Sequence, residues 1–267
     1  MDKKELLVKE FAKEMRTIDK DSKVSLAYKM LKKGKISHLI ATENGKPIGM
    51  VSWKDLLWNM WDEAREGEAA NLYVSSIATY NLITINANDG IQKAAAKMIE
   101  KDISSLPVTR EGDIVHILTK KSILEKITEF PSERVGTLMT EDVYSATEGT
   151  SINTAIHKMR ENDISMFPII EKGKLTGFVD IHGLAREMIE IFINPPYRHI
   201  DSVLKRMTLG EIMKGPFGLP PEASIYDFGN EVTRKRVKGT PVLLEGSSKV
   251  IGILSETDIC KYIANLP

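Results

Sequence analysis

The stretch VYSATEGTSINTAIHKMRENDISMFPIIEKGKLTGFVDIHGLAREM, Val143 to Met188, matches LITINANDGIQKAAAKMIEKDISSLPVTREGDIVHILTKKSILEKI, Leu82 to Ile127, without a gap through most of its length. Both read in one order: a short extended stretch, an amphipathic helix, a buried strand, a polar turn, a second buried strand and another helix. In the first helix Ile152, Ala155, Ile156 and Met159 recur at helical spacing and form one apolar face. Leu106-Pro107-Val108 and Phe167-Pro168-Ile169-Ile170 are apolar on consecutive residues, as in strands covered on both faces. Arg110-Glu111-Gly112 and Lys172-Gly173 supply the polar turns that hairpins use.

The same template extends outward in both directions. KVSLAYKMLKKGKISHLIATENGKPIGMVSWKDLLWNM from Lys23 and SIYDFGNEVTRKRVKGTPVLLEGSSKVIGILSETDICKYI from Ser224 complete four copies. Val24, Ala27, Tyr28 and Leu31 share a helix face; Pro241-Val242-Leu243-Leu244 is a buried strand; Glu43-Asn44-Gly45 and Glu245-Gly246 are the turns. The equivalent positions Gly49, His116, Gly177 and Gly252 are separated by 67, 61 and 75 residues. The unequal spacing places linkers in Asp62 to Leu72 and from Asn194-Pro195-Pro196-Tyr197 to Arg206, where the double proline cannot continue a helix. The expected fold is α/β, with four βαββα repeats at 1–66, 67–131, 132–193 and, including a linker, 194–267.

Composition narrows the function. At 267 residues, 42% hydrophobic and 28% charged, the chain can bury ordinary cores. With 37 basic and 37 acidic residues it has no net field for nucleic acid or an anionic membrane, and neither partner is expected. The one cysteine, Cys260, cannot close an intramolecular disulfide, no apolar run approaches the ~20 residues of a membrane span, and MDKKELLVKEF lacks a secretory core, so cytoplasm is expected. The histidines His38, His116, His157, His182 and His199 show no paired metal-ligand spacing, and neither a Gly-x-Ser-x-Gly elbow nor a P-loop occurs. No catalytic residue, metal site or catalytic cofactor is expected.

The repeated Ile-Ser-x-x-Pro-Val segment, as in Ile103 to Val108, and the following Gly-apolar-apolar-Ser/Thr-x-x-Asp signature resemble the cystathionine-β-synthase (CBS) domain family across essentially the whole chain. The resemblance implies that two repeats pack about a pseudo-twofold axis into a module, repeats 1 and 2 (1–131) and repeats 3 and 4 (132–267), with clefts for adenosine derivatives. Two modules often form a flat disc in this family, and the chain is similar in length and repeat count to the γ subunit of AMP-activated protein kinase. By this resemblance the protein is a non-catalytic sensor of AMP, ADP or ATP that signals to an unidentified protein partner by module rearrangement; homodimers are also expected. The alternatives are a ligand-free scaffold for oligomerisation or partner binding, and a sensor of S-adenosylmethionine or methylthioadenosine.

The signature is intact in repeat 1, Gly49-Met50-Val51-Ser52-Trp53-Lys54-Asp55, and in repeat 4, Gly252-Ile253-Leu254-Ser255-Glu256-Thr257-Asp258. Repeats 2 and 3 carry Ser122 and Gly183 at the aspartate position. The resemblance gives that aspartate the ribose hydroxyls, a task suited to a two-oxygen acceptor, gives the serine ribose or phosphate, and gives the glycine close ligand approach. Ser-x-x-Asp before a helix is also a capping box. Ser52, Thr119, Asp180 and Ser255 can all cap, whereas the carboxylate persists in only two repeats, which favours a ligand role for Asp55 and Asp258. Thr240 and Pro241 complete the expected adenosine site of repeat 4, while Ile40 replaces the proline of Pro107, Pro168 and Pro241 in repeat 1. Lys32-Lys33-Gly34-Lys35 and Arg234-Lys235-Arg236 make the same two repeats basic, and the resemblance points to His38 and Lys238 for phosphate. Trp53, Trp58 and Trp61 read as core, with a partner patch as the competing use.

Overall fold

The computed structural model describes residues 5–64, 72–193 and 206–267. Most of both expected linkers, at 65–71 and 194–205, lies outside the described residues, as does His199.

Each repeat is a helix, a hairpin and a helix. Repeat 1 has α1 (Val24–Gly34), β1 (His38–Glu43), β2 (Lys46–Ser52) and α2 (Trp53–Ala64). Repeat 2 has α3 (Ile91–Glu100), β3 (Ser105–Arg110), β4 (Asp113–Thr119) and α4 (Lys120–Leu124). Repeat 3 has α5 (Ile152–Glu161), β5 (Met166–Glu171), β6 (Lys174–Asp180) and α6 (Ile181–Ile193). Repeat 4 has α7 (Ile225–Lys235), β7 (Gly239–Leu243), β8 (Val250–Ser255) and α8 (Glu256–Ala264). The apolar faces expected of α1 and α5 are the buried faces. Three hairpins turn through Asn44-Gly45, Glu111-Gly112 and Lys172-Gly173, all at positive φ, the two-residue geometry whose twist matches that of the strands.

A short parallel neighbour lies beside the first hairpin strand of every repeat, pairing Thr17 with Ile40, Ile85 with Val108, Ala146 with Ile169 and Leu219 with Val242. The other edge is covered by an arm from elsewhere in the chain. The arms are VKEFAK (8–13), VSSIAT (74–79), VGTLMT (135–140) and LGEIMK (209–214), each a four-residue helical turn followed by an extended residue or two. Lys13 pairs with Ile117 of repeat 2, Thr79 with Met50 of repeat 1, Thr140 with Ile253 of repeat 4 and Lys214 with Phe178 of repeat 3. The segment before each repeat therefore does not serve that repeat: repeats 1 and 2 exchange arms, and so do repeats 3 and 4.

The described chain forms two compact units. One contains residues 5–15, 83–143 and 217–267, hence repeats 2 and 4, and in it α8 packs along α3. The other contains residues 16–64, 72–82, 144–193 and 206–216, hence repeats 1 and 3, and in it α2 packs along α6. The expected grouping was consecutive, 1–131 and 132–267. Each compact unit holds alternate repeats, and each arm pairs within its own unit. In the second unit Trp53 and Trp61 are buried in the core and Trp58 packs against it, so the tryptophans are core.

Candidate functional site

The start of the last helix in each repeat is the place where hairpin, arm and helix meet. The extended cap residue ends the second strand and its side chain turns back onto the first turn of the helix. Ser52 Oγ accepts from Asp55 N at 3.3 Å, Thr119 Oγ1 from Ser122 N at 3.0 Å, Asp180 Oδ1 from Gly183 N at 2.6 Å and Ser255 Oγ from Asp258 N at 3.4 Å. All four expected caps form. Asp55 and Asp258 close the box from the other side with one oxygen only. Asp55 Oδ2 accepts from Ser52 N and Oγ at 2.7 and 2.6 Å, and Asp258 Oδ2 accepts from Ser255 N and Oγ at 3.0 and 2.7 Å. In repeat 2 Ser122 Oγ accepts from Thr119 N at 3.0 Å, which explains how that repeat closes its cap without a carboxylate.

The second oxygen distinguishes the repeats. Asp55 Oδ1 accepts from Thr79 Oγ1 of the arm at 3.1 Å, and Asp258 Oδ1 lies 3.5 Å from Lys261 Nζ. An exposed capping box elsewhere, Ser224–Asp227, makes the same bonds, at 2.9 and 2.7 Å. The serine bonds hold Asp227 below the ordinary carboxylate range, but burial outweighs them at Asp55 and pushes its carboxyl up. A cap needs only the first kind of environment.

The arm residue changes with the signature. Repeats 1 and 4, which have the aspartate, are faced by Thr79 and Thr140; repeats 2 and 3, which lack it, are faced by Lys13 and Lys214. Lys214 Nζ is 2.8 Å from Oδ2 of the fully buried Asp180, and Lys13 Nζ is 3.3 Å from Glu125. In repeat 3 the arm lysine thus neutralises the capping carboxylate, whereas in repeat 2 it pairs with Glu125 at the far end of α4. Sequence reasoning missed the arms, although the recurrent pattern ending in Ala/Met-Thr/Lys at 12–13, 78–79, 139–140 and 213–214 was there to find them.

Other expected residues have other neighbours. Close approach at Gly49 and Gly252 is made by the arm: a Cβ would lie 3.0 Å from Thr79 O in the first, and 2.5 Å from Met139 Sδ and 3.2 Å from Thr140 O in the second. Thr240 and Pro241 are buried within the sheet opposite Leu254 and Ile253. Ile40 uses the N–H that proline lacks, donating to Arg16 O at 2.8 Å. His38 is buried and pairs across the hairpin with Ser52, on the Asp55 side of repeat 1. Lys238 Nζ is held by Glu256 at 3.0 Å. In the basic helix ends Lys32 pairs with Glu190 of α6 and Arg234 with Glu231 of its own helix. Among the described residues no cluster of His, Cys, Asp and Glu could hold a metal ion, and no helix is long and apolar enough to cross a membrane.

The family model described as CBS domain matches four times, at residues 8–62, 74–129, 135–190 and 209–265. Protein MJ1225 of Methanocaldococcus jannaschii is 22% identical over 242 residues, 83% of this chain and 84% of its own. Its crystal structure, described as that of a proposed archaeal homologue of γ-AMPK, superposes with a TM-score of 0.83 at 20% identity over 97% of this chain and all of that one. A conserved protein from Pyrococcus horikoshii superposes with a TM-score of 0.67 at 19% identity, over the same shares. The homoserine O-acetyltransferase of Methanohalobium evestigatum is 33% identical over 125 residues, 46% of this chain but 25% of that enzyme.

Proposed function

Because the chain belongs to the CBS domain family, with four copies in tandem, we propose that it is a non-catalytic regulatory protein that binds adenosine nucleotides, AMP, ADP or ATP, at repeats 1 and 4. The observation that carries this reading is the joint change of two residues far apart in sequence. Asp55 and Asp258 occur only where the arm presents threonine, and the repeats without the aspartate receive lysine there. A fold requirement would not vary in this paired way, since all four helix starts are capped. A ribose edge needs acceptor lone pairs on one carboxylate; the cap uses one oxygen of each aspartate, while the other accepts from the arm's Thr79 at Asp55 and lies 3.5 Å from Lys261 Nζ at Asp258.

Signalling follows from the origin of the arms. A ligand at the aspartate of repeat 1 or 4 also meets the arm beside it, Thr79 or Thr140, and that arm is followed in sequence by the consecutive repeat. Modules 1–131 and 132–267 are thus the switching elements, and a protein partner reads their rearrangement. The ligand drives the change only by its differential affinity for the two arrangements.

The test is thermal unfolding of the wild type, Asp55→Ala and Asp258→Ala with AMP, ADP, ATP, S-adenosylmethionine and methylthioadenosine. A ligand at ~100 times its Kd stabilises by about 2.7 kcal/mol. A shift with AMP, ADP or ATP that weakens in each variant supports the reading. A response to the sulfur-containing adenosines alone changes the ligand class, and no response to any leaves a scaffold.

A further inference from the structure

Of the large hydrophobic side chains exposed among the described residues, three gather where the turn before α1 meets the arm at 74–79: Leu26 at 45%, Tyr73 at 45% and Tyr80 at 42%. Backbone bonds hold this junction together. Val74 N donates to Ser22 O at 2.9 Å, Ser75 N to Lys20 O at 2.8 Å and Leu26 N to Lys23 O at 2.9 Å. Lys23 pairs with Tyr73 and sets its Nζ 3.9 Å from the centre of that ring. Tyr80 folds back to donate its hydroxyl to Ser75 O at 2.8 Å. Met30, one turn beyond Leu26 on α1, is half-buried and extends the patch along the helix.

The other three repeats show that the fold does not ask for these side chains. Leu26 and Met30 are answered by Lys93 and Lys97 in α3, by Thr154 and Lys158 in α5, and by Asp227 and Glu231 in α7. Tyr73 is answered before the other arms by Leu7, Arg134 and Thr208, and Tyr80 after them by Glu14, Glu141 and Gly215. Leu26 also forgoes a cap. At its helix position Thr154 and Asp227 bond to the capping Ser151 and Ser224, at 2.9 and 2.7 Å, whereas Lys23 makes no side-chain cap. Charge sets the same helix apart: α1 carries no acidic residue, unlike α3, α5 and α7, and its Lys29 and Lys33 are exposed beside Leu26 and Met30. Repeat 1 alone thus trades local helix stability for an apolar face with a basic edge.

We propose that this junction is a docking surface for an acidic amphipathic helix of a protein partner. The apolar stripe of that helix, with side chains three and four residues apart, covers Leu26, Met30 and Tyr73, and its carboxylates meet Lys29 and Lys33. A second copy of this chain fits poorly, because apposing the face with itself brings lysine against lysine. An anionic membrane fits poorly too: Asp19 and Asp21 are exposed in the adjoining turn, and the chain has no net charge. Tyrosine suits a protein contact, since it buries a large ring at low entropic cost. Tyr73 and Tyr80 flank the arm that presents Thr79 to Asp55 at 3.1 Å. Partner and repeat 1 ligand therefore rest on one arm; this link depends on the function proposed above, and the docking surface does not.

The experiment uses the full chain and a fluorescent synthetic helix of about five turns, with a leucine stripe flanked by glutamates. Its controls are the same residues scrambled, the same stripe flanked by lysines, and phosphatidylserine vesicles. One variant combines Leu26→Thr, Met30→Lys and Tyr73→Thr, which are the residues repeat 3 carries at these positions; a second combines Lys29→Glu and Lys33→Glu. Fluorescence anisotropy should show the acidic helix binding the wild type and losing tenfold or more in affinity in the first variant, whose melting temperature stays unchanged. The second variant should prefer the lysine-flanked helix. An acidic helix that binds no better than its scrambled form, or equally well to wild type and both variants, overturns the docking surface. So does vesicle binding that the first variant loses while no helix binds, which gives the face to a membrane. AMP that shifts the helix affinity of wild type but not of Asp55→Ala supports the link through the arm. An unshifted affinity removes that link and leaves the docking surface, and an absence of any AMP response in thermal unfolding counts against the nucleotide reading alone.

Discussion

Replacing Gly177 by alanine tests the idea that the signature glycine exists to seat an arm. An added Cβ lies 2.6 Å from Lys214 O and 2.8 Å from Met213 Sδ, against the roughly 3.3 Å at which carbon and carbonyl oxygen begin to sit comfortably. Methionine can swing aside, but Lys214 O is backbone, held by Phe178 N at 3.1 Å while Lys214 N donates to Phe178 O at 2.9 Å. Overpacking alone costs about 1–3 kcal/mol, and lifting the arm forfeits two backbone bonds at about 1 kcal/mol each. The smaller freedom of alanine in the unfolded chain returns about 0.4–1 kcal/mol. The net expectation is a loss of about 2–4 kcal/mol. Gly252→Ala, which meets mainly the flexible Met139, should cost about half as much, and Gly49→Ala, with its nearest contact at 3.0 Å, least. Denaturant unfolding gives the ranking, and hydrogen exchange at the Phe178 and Lys214 amides locates the damage. Gly177→Ala within about 0.5 kcal/mol of wild type, with both amides still protected, would refute the argument.

Further outcomes are expected. Lys214→Met strands the fully buried Asp180 carboxylate and should destabilise by about 3 kcal/mol; adding Asp180→Asn should recover much of it, and urea melts of the two variants decide. Burial raises Asp55, so the folded state holds that proton more tightly than the unfolded chain, and the associated stability is present in acid and falls as pH rises through the raised value. Asp55→Asn should therefore gain on wild type from acid to neutral pH, as measured by denaturation midpoints; a constant difference would contradict the assignment. Cys260, fully buried and pushed up to about 12, should react with a thiol reagent only at the rate of unfolding. Fast labelling in native buffer would show that the α3 and α8 contact opens readily.

The hairpins and long helices were legible because each is written locally: a period of 3.6 in Val24 to Leu31 and Ile152 to Met159, and a glycine turn between apolar runs. The CBS resemblance was legible through four copies in register. The arms were not, because a four-residue turn and a pair of strand residues carry almost no periodic signal and their destination is set by packing. At the site, Ser-x-x-Asp reads identically at Ser52–Asp55 and Ser224–Asp227, and only burial separates them. Likewise nothing in the sequence marks Lys120 and Glu256, each the residue after a cap, as buried, yet both are.

The exchange of arms bears on how such a chain can be cut or enlarged. Removing one repeat leaves a neighbour with an open sheet edge and a loose arm whose destination is gone. Open edges recruit strands, so an odd-numbered fragment should gain its missing arm from another molecule and associate with rising concentration. A fragment of two consecutive repeats carries both arms it needs. Gene duplication acting on this architecture therefore keeps every edge closed only when it copies repeats two at a time.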